Sequence, residues 1–185
     1  MNTPILKALP QFLETLGLDE EPMGIFYTDE QPAEGFSPKP NELPTREKEI
    51  KNEINWQEVF GQFSEHEVPE LVAFFTRPES LSGLHQLAAF VTNDPEVVVS
   101  PWGAGCGNVV VWPLHYLSKG DNKAVVGGWD PSARKFFKTD ELSFTVPFKM
   151  FVQMVERFNE TFLTTKSWAT VQKKIERSKK IWGEG

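Results

Sequence analysis

The sequence predicts an α/β protein of the α+β class, with a mixed sheet flanked by helices and a helical pair at the C-terminal end. Short runs rich in valine and aromatic residues alternate with segments in which apolar residues recur every three or four positions. The 185 residues also include 15 Phe and 6 Trp, which supply large side chains for burial. We therefore expect a single domain over residues 1–185.

The N-terminal segment predicts a helix followed by a strand. Leucine and isoleucine side chains between Ile5 and Leu16 fall at helical spacing, interrupted by Pro10, and Gly17 is placed to end the helix. Residues 23–28 (MGIFYT) form a short apolar and aromatic run, which predicts a strand.

Residues 29–55 differ in composition from the rest of the chain. They contain four prolines, few apolar residues and then mixed charges. This composition predicts a flexible surface loop that leads into a polar helix.

The patterns become sharper from residue 71. Residues 71–76 (LVAFFT) predict a strand, and Pro78 suits the first turn of a helix that continues to Val91. The three valines at 97–99 form a continuous apolar run, which is typical of a strand buried on both faces.

The last third of the chain contains two further strand patterns, at 124–128 and 142–146. An aromatic stripe then predicts a helix that starts at Pro147, and residues 164–185 predict an amphipathic helix with a basic polar side. For residues 106–117 the valines favour a strand, but the preceding alternation of strands and helices favours a helix, which we expect.

Composition and charge exclude several classes of protein. A single cysteine, Cys106, excludes an internal disulfide and any multi-cysteine metal site. The net charge of −7 argues against a general nucleic-acid binder, and no apolar run approaches the roughly 20 residues of a membrane span. The N-terminus lacks the unbroken apolar region of a signal peptide. We therefore expect a cytoplasmic protein with no nucleic-acid or membrane partner.

The segment most suited to chemistry is the glycine-rich turn SPWGAGCGN at residues 100–108. Gly103, Gly105 and Gly107 let the backbone turn sharply and approach a ligand closely. A helix that begins near Cys106 would direct free amides at an anion and raise the thiolate fraction of the sulfur. Trp102 is placed to stack on a planar ligand. A tight structural turn around a buried cysteine explains the same residues equally well.

Two histidines are candidate bases for a Cys106 nucleophile. His115 follows Cys106 by nine residues, so on a continuous helix the two side chains would point in opposite directions. His85 lies within the 78–91 helix and lines the Cys106 loop only if the helix and loop are neighbours. The chain has no H-E-x-x-H or C-x-x-C motif and no dinucleotide-type glycine pattern, so no metal ligands are predicted.

Four blocks of sequence, in order, resemble domain-of-unknown-function family 169, and the resemblance covers roughly residues 15–160. The blocks are residues 16–25, residues 72–81, residues 100–107, and residues 130–134 together with 140–147. The resemblance implies a Gly-x-Gly-Cys element at Gly103–Cys106 and an Asp-Pro-Ser-Ala-Arg element that ends at Arg134, whose guanidinium suits an anion. Members of the family often carry further cysteines in the N-terminal third; this chain has none there, and the resemblance supplies no activity.

Three functional interpretations remain open at this stage. The first is a binding protein that holds a small anionic ligand, cofactor or metal at the Cys106 loop, with Arg134 as counter-ion. The second is a thiol-dependent enzyme with Cys106 as nucleophile and a histidine base. The third is a structural protein that forms homo-oligomers through its C-terminal helices. We favour the first, although the residues do not identify the ligand or cofactor.

Overall fold

In a computed structural model, the described part of the chain contains a mixed sheet of six strands. The structure describes residues 4–28, 47–50, 68–100, 116–117, 120–127 and 142–181. The strand order across the sheet is β2-β1-β3-β6-β5-β4. Neighbouring strands are antiparallel, except that β4 and β5 are parallel. The strands are β1 (Met23–Thr28), β2 (Glu47–Ile50), β3 (Leu71–Thr76), β4 (Val98–Val99), β5 (Ala124–Gly127) and β6 (Leu142–Pro147).

Helices from both ends of the chain accompany the sheet. They are α1 (Pro4–Leu16), α2 (Pro78–Thr92), α3 (Phe148–Arg157) and α4 (Lys166–Ile181), with two 3₁₀ turns between α3 and α4. Pro78 occupies the first turn of α2, as the sequence predicts, and Asn93 ends the helix in the left-handed conformation. The α+β class and the C-terminal helical pair are confirmed.

The main core lies between the helices and one face of the sheet. Phe74 on β3 and Phe144 on β6 lie at its centre, with ring centroids 6.5 Å apart. Phe12 of α1, Phe151 of α3 and Phe158 of the first 3₁₀ turn add edge-on ring contacts, a geometry that aromatic pairs favour. The predicted aromatic stripe after Pro147 therefore does face the core. Met150 and Met154 are also buried there, although the stripe did not include them.

Three sequence expectations differ from the structure or fall outside it. Residues 47–50, expected within a loop leading to a polar helix, form strand β2 and pair with β1. The valine run at 97–99 is not buried on both faces throughout: Val97 is fully buried, but Val98 and Val99 of β4 are only half-buried. Among the described strands, β4 is the last at its side of the sheet. Of the helix expected at 106–117, only residues 116 and 117 are described, and they are helical. The remainder of the predicted loop at 29–55 lies outside the described residues.

A hydrogen-bonded junction joins the C-terminal helix to the end of α1. Gly17 has φ +69° and ends α1, while the Leu18 amide donates to the Leu13 carbonyl, which together form a Schellman cap. The Thr15 carbonyl accepts two side-chain hydrogen bonds from α4, from Trp168 Nε1 at 2.6 Å and from Gln172 Nε2 at 3.0 Å. These bonds satisfy a carbonyl that the end of a helix otherwise leaves without an intrahelical partner.

Gly83 on α2 allows this junction to close. A Cβ atom at this position would lie 2.6 Å from the Trp168 ring and 2.7 Å from Leu16. Real Cβ atoms do not approach other heavy atoms so closely, and both neighbours are almost completely buried. The missing side chain of Gly83 therefore sets how deeply Trp168 packs between α1 and α2.

We expect Gly83→Ala to destabilise the protein. Alanine favours a helix interior over glycine by about 1 kcal/mol, but overpacking in a filled core costs about 1–3 kcal/mol, and here the ring has no space to move. Urea unfolding measures the difference in free energy of unfolding. Gln86→Ala, at an exposed position of the same helix, is the control and should change stability little. A Gly83→Ala protein more stable than wild type would contradict this account of the packing.

Candidate functional site

The directions of the strands bring three carboxyl ends to one edge of the sheet. β3 and β5 both run antiparallel to β6, and β4 runs parallel to β5. Thr76, Val99 and Gly127 therefore end their strands at the same edge, where β6 begins at Leu142. Ligands commonly bind at the carboxyl ends of strands in α/β sheets, so we treat this carboxyl edge as the candidate site.

The residues that the sequence singles out follow two of these strand ends. β4 ends at Val99 and precedes the glycine-rich turn, and β5 ends at Gly127 and precedes the Asp130–Arg134 segment. The predicted site residues themselves lie outside the described residues: Trp102, Gly103, Gly105, Cys106, Gly107 and Arg134. His115 lies outside them as well. Their roles at the site remain predictions.

Buried polar residues occur at the same edge. Thr76 ends β3, Arg77 follows it, and Ser143 is the second residue of β6. Their exposed fractions are 7%, 8% and 1%. Charged side chains are seldom buried to this degree in protein interiors. Arg77 is not among the predicted site residues, although its place between a strand and a helix-starting proline offered a signal.

An ion pair fixes the start of the parallel strand pair. Lys123 Nζ lies 2.9 Å from Asp94 Oδ2 and donates to the Glu96 carbonyl at 3.0 Å. Asp94 Oδ1 accepts the Glu96 amide at 2.8 Å, and the Ala124 amide donates to the Val97 carbonyl at 3.0 Å. The hydrogen bond from Lys123 lowers the pKa of Asp94, and the same bond raises the pKa of Lys123. Both groups therefore stay charged near neutral pH.

His85 lies on α2 above the centre of the sheet. Its ring centroid is 5.7 Å from that of Phe144, and burial lowers the pKa of the imidazole. Its Nε2 atom is buried and has no hydrogen-bond partner among the residues that the structure describes. The neutral ring thus packs as a half-buried aromatic group. The sequence left open whether α2 and the Cys106 loop are neighbours; α2 does contact β4, from which that loop leaves.

The described residues contain neither a cluster of metal ligands nor a helix able to cross a membrane. Within them, no three His, Cys, Asp or Glu side chains come close enough together to hold a metal ion. No helix in the same part of the chain has the length and apolar character needed to cross a membrane.

Comparison with known proteins gives one match. A family model described as uncharacterised ArCR, for domain-of-unknown-function family 169, matches residues 58–157. The match includes three of the four blocks that the sequence analysis recognised, together with β3, α2, β4, β5 and β6. No curated protein and no solved structure matches the chain.

We expect Asp94→Asn to loosen the start of the β4–β5 pair. Asparagine retains an oxygen that accepts the hydrogen bond from the Glu96 amide, but it has no charge to hold Lys123. Because the ion pair is partly exposed, we expect its loss to change global stability little. Hydrogen exchange of the Ala124 amide should therefore become faster, while amides within β3 and β6 keep their protection. An unchanged exchange rate at Ala124 would show that the ion pair does not hold this strand pair.

We expect His85 to make the protein less stable in acid. Because burial lowers its pKa in the folded state, the unfolded chain binds a proton first as pH falls below about 6.5, and stability is fully present only above that value. His85→Leu should remove this contribution and change stability at neutral pH by less than about 1 kcal/mol, since the buried Nε2 atom gains no hydrogen bond from the described residues.

Urea unfolding at about pH 5.5 and about pH 7.5 measures the His85 effect. Gln86→Leu on the exposed side of α2 is the control and should retain the pH dependence of the wild type. If His85→Leu retains it too, other groups cause the loss of stability in acid.

Proposed function

The chain belongs to domain-of-unknown-function family 169, and we propose that it binds a small anionic ligand at the carboxyl edge of the sheet. The family is described only as uncharacterised, so the proposal is argued from the sheet itself. The observation that carries the proposal is the parallel pairing of β4 and β5. The segments that follow two neighbouring parallel strands both begin at the same edge of the sheet. In this chain those segments contain Cys106 and Arg134.

Chain length supports the approach of these two residues. Cys106 follows the end of β4 by seven residues, and Arg134 follows the end of β5 by seven residues. Each lies within about 25 Å of its strand end, since an extended chain spans at most about 3.6 Å per residue. Adjacent strands are about 4.8 Å apart, and Val99 pairs with Val125, two residues before Gly127, so the two strand ends lie within about 10 Å of each other and the two reachable volumes overlap.

The types of residue support an anion rather than a neutral ligand. Arg134 carries a guanidinium, which binds a carboxylate or phosphate through two parallel hydrogen bonds. Gly103, Gly105 and Gly107 have no side chains to keep a ligand from backbone amides. Arg77 adds a buried positive charge at the end of β3, across β6 from β5. In this proposal Trp102 forms a wall of the pocket, and Cys106 lies at its base.

Native mass spectrometry of protein purified without added cofactor tests the proposal directly. We expect wild-type protein to retain an additional mass that Arg134→Ala loses, because the variant removes the proposed counter-ion. Lys149→Ala is the charge-matched control: Lys149 is exposed on α3, which follows the opposite end of β6, and its variant should retain the mass. Cys106→Ser then tells whether the sulfur contributes to binding.

A weakly held ligand requires a second measurement, with inorganic phosphate and a nucleoside diphosphate as probes. A ligand present at 100 times its Kd adds about 2.7 kcal/mol, which raises the melting temperature of a chain of this size by roughly 5–10 °C. We expect a rise in wild-type and Lys149→Ala proteins that is absent in Arg134→Ala. Two results together would contradict the proposal. The first is that wild type retains no extra mass, and the second is that neither probe raises the melting temperature of wild type by more than it raises that of Arg134→Ala.

A further inference from the structure

The sheet has a second face, opposite the first face on which helices α1 to α4 pack. Phe144 of β6 belongs to the core on the first face. Successive side chains along a strand point to opposite faces, so Ser143 and Thr145, which flank Phe144, point to the second face. Ala73 of β3 and Val125 of β5 also lie there, in a separate apolar cluster.

Two buried hydroxyl groups lie at the centre of the second face. Ser143 and Thr145 are each 1% exposed. Alternation of apolar and polar residues along a strand is typical of a sheet with one face in solvent, but here the polar side of β6 is buried as well. Threonine favours strands through its branched side chain, which accounts for Thr145. Serine is not among the residues that favour strands, so the burial of Ser143 calls for a second reason.

Arg77 adds a charged group to the second face at the carboxyl edge. Its backbone is extended, with φ −84° and ψ 160°, so it continues the alternation of β3 beyond Thr76. The side chain of Arg77 therefore points to the same face as that of Phe75. Because Phe75 is opposite Ser143, Arg77 and Ser143 are diagonal neighbours about 7–8 Å apart, a separation that a long side chain can span.

The other neighbour of Ser143 has no side chain. Gly127, the last residue of β5, is opposite Ser143 in the pairing of β5 with β6. A group can therefore approach the Ser143 hydroxyl over the end of β5 without meeting a side chain from that strand. The chain continues from Gly127 towards Arg134.

The connection from β4 to β5 also reaches the second face. It leaves β4 at the carboxyl edge, and Tyr116 and Leu117 near its end pack with the apolar cluster of the second face. The same connection contains Cys106. His85, in contrast, packs over Phe144 on the first face. Both the buried polar groups of the carboxyl edge and this connection are thus associated with the face opposite His85.

We propose that Arg77 and Ser143 bind a phosphate group of the ligand on the second face of the sheet. The inference rests on the proposed function, because it assigns a face and two further contacts to that site. Arg77 donates through two parallel N–H groups and Ser143 through its hydroxyl. Burial reduces the screening of the Arg77 charge, which strengthens its attraction for an anion. With Arg134 the site has two positive charges, which match a dianionic phosphate better than a single carboxylate.

Titration with inorganic phosphate and with a nucleoside diphosphate, followed by the melting temperature, tests the two contacts. We expect Ser143→Ala to raise the Kd at least about tenfold, because the variant loses a hydrogen bond to a charged group. Arg77→Lys keeps the charge but loses the paired N–H groups, so we expect a similar rise. Each shift is measured from the melting temperature of the same variant without probe, which separates binding from stability.

Thr145→Val and His85→Leu are the matched controls. Thr145 has the burial and the face of Ser143 but lies two residues further from the carboxyl edge, and valine has nearly its shape. His85 lies on the first face of the same sheet. We expect both variants to keep the Kd of wild type within about twofold.

The possible results separate this inference from the proposed function. If Arg134→Ala loses binding while Ser143→Ala and Arg77→Lys bind like wild type, the ligand lies at the carboxyl edge without these contacts, and the inference is wrong. Loss of binding in His85→Leu, with binding retained in Ser143→Ala, would place the ligand on the first face. If neither probe shifts the melting temperature of wild type, the inference is wrong even where a retained mass supports the proposed function.

Discussion

The antiparallel ladder between β3 and β6 sets the direction of the strands that pair on either side of it. Six consecutive residue pairs join these strands, from Leu71 with Pro147 to Thr76 with Leu142. Most of their side chains are buried on both faces, so the ladder can shift by one residue only by exchanging the two buried sets. Because β5 also pairs with β6, the ladder decides which edge receives the carboxyl ends of β3, β4 and β5.

Helices from both ends of the chain depend on one another above this sheet. The close approach of Trp168 to Gly83 buries the indole, and the indole nitrogen then reaches the carbonyl of Thr15. The Trp168 side chain thus does two things: its ring packs against α1 and α2, and its Nε1 donates a hydrogen bond to a carbonyl at the end of α1. The same arrangement leaves the charged side of α4 facing outward.

The sequence predicts elements well where a single pattern decides them. β3 is apolar from Leu71 to Phe75, β6 alternates apolar residues with Ser143 and Thr145, and α2 and α3 have apolar residues at three- and four-residue spacing. Each of these patterns predicts its element by itself. β2 escaped prediction because Glu47–Ile50 becomes a strand by pairing with β1, and local composition does not encode pairing. The predicted burial of residues 97–99 was too high for the same reason: an apolar run does not show whether a strand has a neighbour on both sides, and β4 has only β5 among the described strands. At the candidate site, the glycines and Arg134 are visible in sequence, but the sequence does not show that the strands before them, β4 and β5, are parallel and end at the same edge.

The first turn of α2 connects the carboxyl edge to the C-terminal helix. Pro78 begins that turn at the carboxyl edge, and Glu79 accepts a hydrogen bond from Ser178 of α4 at 2.7 Å. Arg134, in contrast, follows β5, which is separated from β3 by β6. Loss of ligand in an Arg134→Ala protein that keeps the stability of the wild type would therefore have its cause at the ends of β4 and β5, and not in a disturbed contact between α2 and α4.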